Sequence, residues 1–316
     1  MKRTFQYQGF EFCSNDDLGC DLFIFAVGYE SRSIFIASKI GLEVPNRVGL
    51  GFRSRQTESF VSNRRWVEDS GATFLDLTLT EFNHWTEGPL TDLVSGARII
   101  AVDVSSFSRD RLATLLMKCW RFLEDKEIEE LRILYAPGKF DVQHLPEAYT
   151  QVASAELLFN FEGDWVDTER SLTAIIGLGY EPGRALGAFE LLEPENTVLF
   201  LPDSIDSRYD HFVRTYNAPL TASGSKMVEL SYDVMDSPDL LDRMLRIIDG
   251  AAVHGRSVLV PLGPKIFAAI SCIASLLSSP QVPIWRISGG ESEPAYDVQA
   301  EGHYCVLSLR RHEVDK

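Results

Sequence analysis

Short apolar runs rich in β-forming residues alternate along the chain with longer segments whose apolar residues recur every three or four positions. In the first half the short runs are the one ending at Val27, then 46–52, 72–77, 97–102 and 131–135. In the second half they are the one ending at Gly177, then 196–202, 226–230, 256–260 and 282–287. Helical spacing is clearest in 109–123, through Leu112, Leu115, Leu116, Cys119, Trp120 and Leu123, and in 239–248, through Leu240, Leu241, Met244, Leu245 and Ile248. The nearly uncharged run 266–277 is far shorter than the roughly 20 residues a bilayer demands, so it predicts a buried helix. Strand and helix in alternation predict crossover units: an α/β fold with mostly parallel, doubly wound, Rossmann-like sheets.

The same order of elements occurs twice. Gly28-Tyr29-Glu30, with Arg32 close behind, returns 151 positions later as Gly179-Tyr180-Glu181, with Arg184 close behind. The runs that follow correspond in order: 46–52 with 196–202, 72–77 with 226–230, 97–102 with 256–260, 131–135 with 282–287, and last 155–161 with 303–309. This predicts two tandem Rossmann-like halves related by internal duplication. The polar, acidic stretch 161–170 marks the boundary, giving halves at 1–163 and 164–316.

Charge narrows the partners. The 30 Lys and Arg against 46 Asp and Glu leave a net charge of -16, so nucleic acid is not an expected partner. The basic start, Met1-Lys2-Arg3, leads into alternating residues rather than a continuous apolar stretch, and neither a membrane nor secretion is expected. Five cysteines without a CxxC pair predict free thiols in a cytoplasmic protein. The six histidines show no metal-binding or triad spacing, so no metal site is expected, and no residue pattern names a cofactor.

In an open parallel sheet ligands gather beyond the carboxyl ends of the strands, so the strand-to-helix turns are the candidates. In the second half, Gly177-Leu178-Gly179-Tyr180-Glu181-Pro182-Gly183-Arg184 is a loosened dinucleotide fingerprint whose glycines let backbone approach a phosphate. Helix packing alone also accounts for such glycines. The first half replaces that backbone site with side chains: Gly28, Tyr29, Glu30, Arg32 and Ser33. Arg53, Arg55, Arg64 and Arg65 lie on the following turn and helix, where guanidinium groups suit phosphate or carboxylate, although the last two equally suit a solvated helix face. Asp103 ends an apolar strand and is followed by Ser105, Ser106, Ser108 and Arg109. Capping explains one serine; a buried carboxylate requires a partner, for which Arg32 or Arg109 would serve. In the matching turn of the second half, Gly263-Pro264-Lys265, a lysine in the first helical turn opposes the helix dipole unless an anion compensates.

These residues predict binding of a nucleotide or other small phosphorylated ligand in a cleft between the halves, as a sensor or regulatory protein. In plan, with two copies of about 150 residues and Gly263-Pro264-Lys265, the chain resembles the tandem CARF-like sensor modules of bacterial antiviral systems, and the resemblance implies a bacterial regulatory role. A second reading is an enzyme acting on a nucleotide or phosphosugar, with Glu30 or Asp103 as base or metal ligand. A third is a non-catalytic subunit whose acidic surface, -6 over residues 1–160 and -10 over 161–316, docks a protein partner.

Overall fold

Apolar runs become strands and periodic segments become helices. A computed structural model describes residues 3–41, 44–54, 56–146, 152–164, 169–222, 226–289 and 295–312. In chain order the first elements are β1 (Thr4–Tyr7), β2 (Phe10–Asn15), β3 (Leu22–Val27), β4 (Asn46–Phe52), α1 (Phe60–Asp69), β5 (Thr73–Leu77), α2 (Leu79–Glu87), α3 (Pro89–Val94), β6 (Ile99–Asp103), α4 (Arg109–Glu124) and β7 (Glu130–Tyr135). There follow β8 (Ser154–Leu157), β9 (Ser171–Gly177), α5 (Arg184–Leu192), β10 (Asn196–Asp203), α6 (Ser207–Thr221), β11 (Met227–Asp233), α7 (Ser237–Ala252), β12 (Gly255–Pro261), α8 (Lys265–Leu276), β13 (Trp285–Ser288) and β14 (Cys305–Arg311).

Two compact units result, Met1–Lys139 with Ala295–Lys316, and Phe140–Pro294. The first holds one sheet in the order β1-β2-β14-β7-β6-β3-β4-β5, in which β3 to β7 run parallel and β14 joins β7 antiparallel. The second has the parallel order β11-β10-β9-β12. It continues to β13 through a parallel bridge between Leu259 and Ile284, and β13 pairs antiparallel with β8. Strand for strand, β5-β4-β3-β6-β7-β14 corresponds to β11-β10-β9-β12-β13-β8. Even the register repeats: Leu22 faces Asn46 and Ile100, and Thr173, 151 positions later, faces Asn196 and Ser257.

The sixth strand of each copy is exchanged. β8 follows the first copy in sequence but lies in the second unit's sheet, while β14 closes the second copy but lies between β2 and β7 of the first. A cut at 163/164 therefore separates the repeats of sequence but not the folded units.

Apolar periodicity determines which faces are buried. All six named stripe positions of α4 and all five of α7 are buried, and α8 is buried almost throughout, as its lack of charge predicts. In the first unit Phe23, Phe25 and Val27 of β3 pack with Ile36, Val67 and Leu134. In the second, Ala174 and Ile176 of β9 pack with Leu199, Val258, Val260 and the apolar faces of α5 and α6. All five cysteines are free.

Candidate functional site

Each sheet reverses its winding at one place. From β3 the chain moves outward through β4 and β5, then returns to the other side of β3 as β6; β9, β10, β11 and β12 repeat the path. The carboxyl ends of β3 and β6, and of β9 and β12, are thus the switch-point mouths where ligands of open parallel sheets bind. The residues singled out in the sequence, Gly28 to Ser33 with Asp103 to Ser106, and Gly177 to Arg184 with Gly263 to Lys265, lie at these two mouths.

In the first mouth Arg32 donates from Nε to Glu30 Oε2 at 2.7 Å, and the Ser106 hydroxyl donates to the same oxygen at 3.1 Å. Asp103 is 2% exposed. Its Oδ1 accepts from the Ser105 backbone N–H at 2.9 Å and from the Ser105 hydroxyl at 2.5 Å, while Oδ2 has no hydrogen-bond partner. Ser105 Oγ in turn accepts from Ala136 N–H. Burial pushes the Asp103 carboxyl up to about 6, and neither the Ser105 hydrogen bonds nor the positive charge of Arg32 cancels that cost. Tyr135, buried at the end of β7, is raised to about 12 by burial, with the Arg32 guanidinium pulling the other way.

The backbone of the first turn is already committed. Asp297 accepts from Ser31 N–H at 2.5 Å and from the Ser59 hydroxyl at 3.0 Å, and Val298 O accepts from Arg32 N–H. The Asn63 side chain, buried on α1, donates to Gly28 O, Glu30 O and Ser33 Oγ at 2.8 to 3.0 Å. Gly28 and Ser33 are thus taken up in holding the turn, while Glu30 faces both Arg32 and Ser106 and Asp103 lies buried beside Ser105. Replacing Asn63 by Ala is expected to destabilise the first unit by about 1–3 kcal/mol, because it leaves buried carbonyls without their donor; urea denaturation measures it.

The second mouth is built from backbone. Gly263 has φ +67, and a Cβ on it would run into the carbonyl of Leu178; Gly183, at φ +85, precedes α5. The absence of side chains at Gly179 and Gly263 lets the two turns touch, and Gly177 makes room for the Phe267 ring, so packing accounts for part of the fingerprint. Arg184 is buried and lies 3.6 Å from Glu181, whose carboxylate rests against Gly179. Lys265 is half-buried in the first turn of α8. Asn217 of α6 donates to Gly179 O, the counterpart of Asn63 on Gly28. Tyr180 joins Tyr209, Phe140 and Phe212 in an aromatic group with ring centroids 5.6 to 6.3 Å apart.

The described arginines of the turn and helix after β4 each have a carboxylate partner of their own. Arg53 pairs with Glu81, Arg64 with Glu68 and Arg65 with Asp69, the latter two as i,i+4 pairs on the exposed face of α1. Arg55 lies outside the described residues. Ser108 caps α4, and Arg109 opens that helix half-exposed. The buried arginine of the helix is Arg111, which donates to Gly51 O and Leu77 O, lies over the rings of Phe52 and Phe82, and is lowered to about 10 by burial. Arg32 and Asp103 meet in the first unit; Lys265 belongs to the second.

Asn63, Asn217, Tyr135 and Asp297 were not anticipated. For the two asparagines a signal exists: each is the polar member of a buried helix stripe, Phe60-Asn63-Val67 and Val213-Asn217-Leu220. Asp297 follows no periodic pattern.

No known protein family and no curated protein matches the sequence. Among solved structures, the chain is similar to leucoanthocyanidin reductase in complex with NADPH from Vitis vinifera, at 10% identity over 79% of this chain and 85% of that one, with a TM-score of 0.27. It is also similar to a putative universal stress protein from Pseudomonas aeruginosa, at 10% identity over 85% of this chain and 93% of that one, with a TM-score of 0.23. Likeness at this level carries no argument about a ligand. Among the described residues no helix is long and apolar enough to cross a membrane.

Proposed function

We propose that this protein binds a nucleotide or another small phosphorylated ligand as a sensor or regulatory protein, with the phosphate at the second unit's mouth. One observation carries the reading. The helices α5 and α8 start from the turns after the adjacent strands β9 and β12, and neither start has a capping side chain or an acidic residue in its first turn. By contrast α2, α4, α6 and α7 are each capped by a side chain, and α1, uncapped like α5 and α8, follows β4 rather than a switch-point strand. Two uncapped N-termini at a switch point, with Lys265 as the first residue of α8, favour an anion, since both dipoles and the lysine point the same way, while Arg184 at the start of α5 is offset by Glu181. Gly177, Gly179, Gly183 and Gly263 supply backbone approach, and Tyr180 with Tyr209 offers ring faces beside it.

A thermal-shift screen with ATP, AMP, a cyclic dinucleotide, NADPH, glucose 6-phosphate and inorganic phosphate tests this. A ligand at a hundred times its Kd stabilises by about 2.7 kcal/mol, so a shift of several degrees is expected with at least one compound. Lys265→Ala is expected to remove most of that shift. No shift with any compound overturns the reading.

The second reading, an enzyme acting on a nucleotide or phosphosugar at the first unit's mouth, is supported by Asp103, whose carboxyl burial pushes up to about 6 beside Ser105 and within the field of Arg32, in the direction a general base requires. Phosphate release or product formation from the compound that binds, lost in Asp103→Asn, tests it.

A further inference from the structure

We propose that the first unit's mouth is a separate site for a neutral vicinal diol, the hydroxyl pair of a ribose or similar sugar, recognised by Asp103, Arg32 and Glu30. The proposal does not rest on the phosphate reading of the second unit. Its starting point is Asp103 Oδ2, a carboxylate oxygen that is buried at the switch point and lacks a hydrogen-bond partner while Oδ1 receives two. Leaving such an oxygen unpaired is costly, and a ligand donor removes the cost.

Charge then limits what that ligand is. An anion meets the carboxylates of Glu30 and Asp103, and Arg32 already donates to Glu30; the Ser31 N–H that would receive an anion is held by Asp297. A cation meets the Arg32 guanidinium, whose field reaches Asp103. A neutral group avoids both penalties. It must donate to Asp103 and accept from Arg32, since a carboxylate only accepts and a guanidinium only donates, and a hydroxyl does both. Two neighbouring hydroxyls use both carboxylates, Asp103 and Glu30, and Arg32 acts on both: it donates to Glu30 Oε2 at 2.7 Å and its charge reaches Asp103.

The test is calorimetric titration of the full chain with adenosine, guanosine, cytidine and uridine, with their 2′-deoxy counterparts, and with D-ribose. At least one ribonucleoside is expected to bind, with its 2′-deoxy counterpart weaker by about tenfold or more, because a site built around a hydroxyl rejects the analogue lacking it. Asp103→Asn is expected to abolish that preference with its melting transition intact, and Arg64→Ala, on the exposed face of α1, to leave it unchanged. Equal binding of ribo and deoxy compounds, or no binding of any of them at millimolar concentration, overturns the proposal. If phosphorylated compounds bind through Lys265 while the ribo preference is absent, the diol site fails and the phosphate reading stands. A ribo preference that survives Lys265→Ala, without any phosphate effect, does the reverse.

Discussion

Replacing Glu130 by Ala is expected to destabilise the protein by about 3–5 kcal/mol, the cost of removing one partner from a buried ionic network. Glu130 opens β7 and is 3% exposed. It accepts from Arg132 Nε at 2.6 Å, from Arg310 Nη2 at 2.7 Å and from the Ser308 hydroxyl. Arg132, equally buried, donates onward to Asp17 and to the carbonyl of Gly19. Burial by itself would raise the Glu130 carboxyl, but the bonds from Arg132, Ser308 and Arg310 outweigh it and hold the group below its usual range. The alanine variant leaves Arg132 in the interior with one counter-charge fewer and unties the last strand, since Ser308 and Arg310 belong to β14. Chemical denaturation at neutral pH reads the loss, and Glu130→Gln is expected to lose less, because the amide oxygen still accepts. A lowered carboxyl stabilises above its unfolded pKa, so the gap between wild type and Glu130→Gln narrows as pH falls. A change under about 1 kcal/mol for Glu130→Ala would mean that β14 is held by its apolar residues, Val306, Leu307 and Leu309, alone.

That network also shows where the sequence stops being informative. The repeat, its 151-residue step and the two mouths are legible because local patterns carry them: strand runs, helix stripes, and glycines or polar residues at strand ends. The exchange of β8 and β14 is not, because a short, largely buried strand such as Cys305–Arg311 reads the same whichever sheet receives it. Partner choice is written in pairs far apart in sequence, Glu130 with Ser308 and Arg310, and neither member alone is distinctive. Asp103 was legible as a carboxylate out of place on an apolar strand. Its partner was not: Ser105, two residues on, takes Oδ1 where a distant arginine was expected. The arginines of α1 were ambiguous because i,i+4 spacing with Glu68 and Asp69 and proximity to a mouth look alike in one dimension.

Asp103→Asn is expected to make the protein more stable relative to wild type as pH rises, gaining about 3 kcal/mol between acid and neutral solution. The sign follows from a carboxyl raised by burial from its ordinary 3.8 to about 6. A raised acid contributes its stability in full below the unfolded value and loses it as pH climbs through the folded one. Two pH units at about 1.36 kcal/mol each give the magnitude. Below 3.8 both side chains are neutral and polar, so the difference measured there absorbs any change in packing or in the bonds from Ser105. What remains, the growth of the difference up to and beyond about pH 6, belongs to the charge. Urea midpoints for both proteins across that range measure it, and parallel curves would mean that water or a rearranged Arg32 pairs Oδ2 in solution. The same variant is expected to lose the ribose preference of the first mouth under conditions where its urea curve shows it folded, so that the loss of binding is separated from unfolding.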